Sequence, residues 1–164
     1  MAQTVVFGFL ATLAVAGLFY LWKRHTSPRT VAVSIRLDRS APGAHVLWSL
    51  AHSQGFKLPT KNYFEFVEMI TARPENVSNL DDYLRIMHTW TEKIQSSPMA
   101  IERSVYEVIG KEYRGSRVTQ IELRFNPMKR NLDSTLDLDH IIHAALRGMD
   151  RATLEYGVRA GLIF

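Results

Sequence analysis

The stretch Val118 to Phe125, VTQIELRF, decides the fold. Apolar Ile121, Leu123 and Phe125 alternate with polar Gln120, Glu122 and Arg124, the two-residue period of a strand with one buried face and one wet face. Two other stretches have the same character. Thr30 to Leu37 (TVAVSIRL) puts Val31, Val33, Ile35 and Leu37 on one face and Ala32, Ser34 and Arg36 on the other, and Val158 to Phe164 is a third run of this kind.

Between these runs the periodicity and the caps predict helices. Ala44 to Ser53 follows the Pro42-Gly43 turn and stops at Gly55, and a second helix covers about Tyr63 to Ala72. Asn79 can cap a helix from Leu80 to Gln95, and Ser97 with Pro98 at the first helical position starts another that runs to about Tyr113. Asp137 and Asp139 suit the start of a helix from Leu138 to Tyr156, and Gly157 its end. Strands separated by long helical segments must pair in parallel, so the class is α/β, with about three parallel strands near 30–37, 118–125 and 158–164.

Upstream of the first strand the chain changes character. Thr4 to Trp22 (TVVFGFLATLAVAGLFYLW) is an uncharged apolar run, close to the roughly 20 residues a spanning helix needs. Tyr20 and Trp22, followed by Lys23 and Arg24, form an interfacial anchor whose charges predict an outer N-terminus and a cytoplasmic body at a bacterial inner membrane. Gly8, Thr12 and Ala16 make a small-residue strip on which another membrane helix can pack. The expected organisation is therefore an anchor and short linker over 1–28 and an α/β body over 29–164.

Composition narrows the classes further. The chain has 164 residues, no cysteine and a formal charge of +4. A disulfide scaffold and a thiolate metal site are excluded. Residues 1–37 hold four basic and no acidic residues, whereas 38–164 hold sixteen of each sign, so the surplus lies beside the expected membrane surface and no nucleic-acid groove is expected. No phosphate-binding glycine loop or serine-nucleophile motif is present.

Ile121 to Arg130 (IELRFNPMKR), with Ala100 to Gly115 (AIERSVYEVIGKEYRG) before it and Leu136 to Ile163 (LDLDHIIHAALRGMDRATLEYGVRAGLI) after it, resembles the region around the second and third barrel strands of bacterial adenosine deaminases. Ser34 to Ser40 (SIRLDRS) is similar to that family's first-strand motif, H-x-H-L-D-G-S in generic form, in Leu37, Asp38 and Ser40. The resemblance implies an incomplete TIM-barrel-like fragment. It also implies that the family's two zinc-binding histidines are replaced by Ser34 and Arg36, and that the family's remaining metal and acid-base residues belong to strands beyond the third. Serine is a poor zinc ligand and arginine does not deprotonate.

Other candidates carry less. His140 and His143 beside Asp137 and Asp139 have a spacing that could approach one ion, but acidic residues at a helix start are ordinary. Arg36, Glu122, Arg124 and Arg159 could form an ion-pair network on the polar face of the sheet. An open sheet also leaves strand edges that invite a partner.

The reading is a non-catalytic, single-pass accessory subunit of a larger membrane protein complex, without cofactor or metal, its degenerate deaminase-like fold serving as a cytoplasmic binding surface. The alternative is a nucleoside-binding or deaminase-type module completed by another chain. Expected partners are an integral membrane complex and the bilayer. No small-molecule ligand is expected.

Overall fold

The computed structural model describes residues 32–37, 42–131 and 137–164. Strands β1 (Ala32–Arg36), β2 (Gln120–Arg124) and β3 (Arg159–Ile163) form one parallel sheet in the order β1-β2-β3. The α/β class with three parallel strands is as the alternation predicts. Each rung of the ladder crosses all three strands: Ser34, Glu122 and Gly161 share one, and Ile35, Leu123 and Leu162 share the next.

The expected anchor lies outside the described residues, and with it Gly8, Thr12, Ala16, Tyr20, Trp22, Lys23 and Arg24. Among the described residues no helix is long and apolar enough to cross a membrane.

Helices α1 (Ala44–Ser53), α2 (Tyr63–Ile70) and α3 (Leu80–Ile86) follow β1. Asn62 caps α2 by accepting the Phe64 N–H (2.9 Å), and Asn79 caps α3 by accepting that of Asp82 (2.9 Å). The single helix expected over 80–95 is broken. A π-helical turn at Met87–Thr91 separates α3 from the short α4 (Glu92–Ile94). Such a turn holds one residue more than an α turn, a local insertion that an apolar repeat does not betray.

Helix α5 (Pro98–Ser116) starts as expected, with the Ser97 hydroxyl accepting the Ala100 N–H and Pro98 at the first position. It runs past Tyr113 and closes on Arg117, which adopts the left-handed conformation at φ 54°. Helix α6 (Leu138–Tyr156) has the predicted bounds, capped by Asp137 and ended by Gly157 at φ 65°. Helices α5 and α6 cross at Gly148, where a Cβ would stand 2.2 Å from the Glu102 carbonyl oxygen. No side chain fits there.

The main core lies between these two helices and one face of the sheet. Ile121, Leu123 and Phe125 of the β2 run meet Val105, Ile109 and Ile141, all buried. Full burial of a large apolar side chain contributes about 1.5–3 kcal/mol. A second cluster joins Val46, Leu47 and Leu50 of α1 to Phe66 and Ile94. At the outer seam of α5 and α6, Tyr106 donates to Glu155 (2.7 Å) and contacts the Tyr156 hydroxyl (3.1 Å). These bonds, that to Tyr156 first, hold the Tyr106 hydroxyl well above the usual tyrosine range, and the Tyr106 bond holds the Glu155 carboxyl below its own.

Candidate functional site

In parallel sheets ligands meet the carboxyl ends of the strands, and here those ends open into the larger cavity. Beyond β2, the Asn126 side chain accepts the Met128 N–H (3.0 Å) and Pro127 leads into a 3-10 turn, Met128–Arg130. This tight turn sends Lys129 outward and drives Arg130 inward to 1% exposure.

A buried cation requires a partner. The Arg130 guanidinium stands 3.5 Å from a Glu92 carboxylate oxygen, and the other Glu92 oxygen bonds His88 Nδ1. Lys129 Nζ lies 3.4 Å from His88 Nε2. The Ser96 hydroxyl donates to the Glu92 carbonyl (2.6 Å) and reaches that of Lys129 (3.3 Å), tying the turn to the helix. The π-helical turn starts this arrangement, since His88 lies within it and Glu92 directly follows it. None of these residues stood out in the sequence beyond being ordinary charges. Only the fold brings Arg130 to Glu92.

Above this knot lies a cleft of about 630 Å³. Leu84 and Met87 line one wall, Phe125, Ile163 and Phe164 cover the strand ends, and Arg124 and Lys129 contribute exposed cations. A shallower depression of about 510 Å³ lies on the sheet itself, lined by Ser34, Gln120, Glu122 and Arg159.

Ser34 is exposed on the open face, in the rung of Glu122 and Gly161. Arg36 shares a rung with Arg124 and Ile163, and its side chain lies outside the described residues. A zinc ion does not fit this surface: one hydroxyl, one carboxylate and a glycine are no tetrahedral nitrogen or sulfur set. His140 and His143 are exposed on α6, and among the described residues no three histidine or acidic side chains come together to hold a metal.

The expected polar-face network does not form among the described residues. Glu122, Arg124 and Arg159 share the open face and are exposed, yet no ion pair joins them. The register explains this. Arg159 shares its rung with Gln120, two rungs away from Glu122, and Arg124 lies two residues along the strand from Glu122, about 7 Å away.

A sequence model of adenosine deaminase matches residues 41–164. The chain belongs to the adenosine deaminase family. Among its curated relatives, the adenosine deaminase of Vibrio vulnificus strain YJ016 is 32% identical over 114 residues, which cover 70% of this chain and 33% of that protein. The adenosine deaminase of Lactococcus lactis subsp. lactis is 28% identical over 118 residues, 72% of this chain and 32% of that one. The chain thus spans about a third of the length of these relatives. In solved structures the same fold occurs in an adenine deaminase from Arthrobacter aurescens (TM-score 0.67, 14% identity, 80% of this chain and 38% of that one). It occurs also in an amidohydrolase from Burkholderia ambifaria with bound zinc (TM-score 0.64, 20% identity, 83% of this chain and 35% of that one). The partial barrel expected from the resemblance is therefore this family's fold. The family match begins after the first strand, so the equivalence of Ser34 and Arg36 to metal positions rests on the SIRLDRS motif and the place of β1 in the sheet.

Proposed function

We propose that this chain is a non-catalytic member of the adenosine deaminase family that acts by contact, as an accessory subunit held at a membrane. The observation that carries the reading is Ser34, exposed on the first strand where the motif places a metal-binding imidazole, with Glu122 and Gly161 on its rung of the ladder among the described residues. Without a metal to acidify water, the hydrolytic attack that such deaminases use has no nucleophile. The uncharged run over 4–22 and the basic residues after it support the tether. Strand edges on β1 and β3 that pair on one side only, among the described residues, support a role in assembly.

The test is to purify the full chain from solubilised membranes and measure its zinc content, its conversion of adenosine to inosine and its apparent mass. We expect no stoichiometric zinc, no turnover and migration with other membrane proteins. Stoichiometric zinc with turnover would overturn the non-catalytic reading, and a lone monomer in the soluble fraction would overturn the tethered, assembled one.

The second reading, a nucleoside-binding module completed by another chain, is favoured by the cleft at the strand ends. Saturable adenosine binding by the purified assembly, without turnover, would select it.

A further inference from the structure

The cleft over the ends of β2 and β3 has an unbalanced charge that its own contacts do not resolve. Its one side-chain carboxylate among the described residues is Glu92, and Glu92 is committed on both oxygens, to Arg130 and to His88. Arg124 and Lys129 also face the cleft, both exposed, and among the described residues neither forms an ion pair with a carboxylate. The 19-residue helix α6 opens at Leu138, itself part of the lining, so the positive end of its dipole adds to the same field.

The rest of the wall is apolar. Leu84, Met87, Phe125, Ile142 and Ile163 supply it, and a volume of about 630 Å³ is that of a small-molecule site. Cations set beside a wall of low polarizability are poorly screened, which focuses their field on the cavity and strengthens hydrogen bonds to an anion. Such a site matches a ligand with a charged end and an oily body.

We propose that this cleft binds an amphipathic anion, a molecule with an apolar ring or chain and one carboxylate or phosphate group, the charge being met by Arg124 and Lys129. This departs from the expectation that no small molecule binds. It holds independently of the loss of the metal and concerns a charged group that adenosine, a neutral nucleoside, does not possess.

The experiment uses the full chain in detergent and two matched pairs of probes, 1-naphthyl phosphate against 1-naphthol and octanoate against octanamide, with inorganic phosphate alone as a further arm. Titration calorimetry is run on the native chain and on the double variant Arg124→Gln, Lys129→Gln. Both side chains are exposed, so the variant should fold, and its thermal midpoint is checked against the native value. We expect the anionic member of at least one pair to bind tenfold or more tightly than its neutral match, and the double variant to lose that preference while keeping its affinity for the neutral probe. Preference for naphthyl phosphate would assign a phosphomonoester, and preference for octanoate an acyl carboxylate. Equal binding within both pairs, an anion preference that survives the double variant, or binding of inorganic phosphate as tight as that of naphthyl phosphate would each overturn the proposal. A Leu84→Gln variant separates the apolar contribution: it should weaken all four organic probes and leave the ratio within a pair unchanged.

Discussion

The two faces of the three-stranded sheet are built from the same strands and behave as different materials. On one face Ile121 and Leu123 are sealed beneath α5 and α6, while on the other Glu122 and Arg124 stand in water, one residue away along the same backbone. Stability resides on the covered side. The open side tolerates Ser34 where the motif carries a histidine because little packing depends on that exposed side chain.

Neighbouring substitutions should break this contrast most plainly. Leu123→Ala removes a side chain at 0% exposure and is expected to cost about 2–5 kcal/mol in urea denaturation. Next in size is Gly148→Ala, which forces a methyl group against the Glu102 carbonyl at the α5–α6 crossing and should cost about 1–3 kcal/mol by the same measurement. A junction below the covered face sharpens the comparison in the other direction. Arg117 closes α5 in the left-handed region that Gly157 occupies after α6, so Arg117→Gly should stabilise the fold by about 1 kcal/mol, offset partly by the lost contact of its guanidinium with the Tyr113 ring. On the open face, Glu122→Ala and Ser34→His should each move stability by less than about 0.5 kcal/mol, and Ser34→His alone should bind no stoichiometric zinc.

Acid should distinguish the outer seam from both faces. The Glu155 carboxyl is held below its ordinary value, chiefly by the Tyr106 hydroxyl, so its contribution is present above the unfolded carboxyl pKa and fades as pH falls through the lower folded value. The pH dependence of the urea midpoint in Tyr106→Phe should therefore be shallower than in the native chain over the acid range.

Much of the fold was legible because the signals were local. The alternation in VTQIELRF located β2, and the Asp137 and Gly157 caps bounded α6 to the residue. What escaped depended on contacts between distant segments. The π-helical turn leaves an apolar repeat nearly unaltered, and the pairing of Arg130 with Glu92 exists only once the 3-10 turn after β2 folds back onto α4. The candidate site was legible in part. Ser34 and Arg36 could be read from a motif, whereas the cleft cations could not, because Arg124 and Lys129 gain meaning only from the apolar wall beside them. Glu122, Arg124 and Arg159 stay unpaired with one another for a reason of the same kind: facing the same way does not place charges on the same rung.

The extra residue at Met87–Thr91 is a local bulge between two stretches of ordinary helix. Deleting Thr89 would convert the segment to regular α-helix and draw Glu92 about 1.5 Å back toward α3 while keeping the faces before and after the turn close to their present phase, because the extra residue is taken up locally as a bulge. A single-codon loss here would leave the helical content nearly untouched and lengthen the reach between Glu92 and the Arg130 guanidinium.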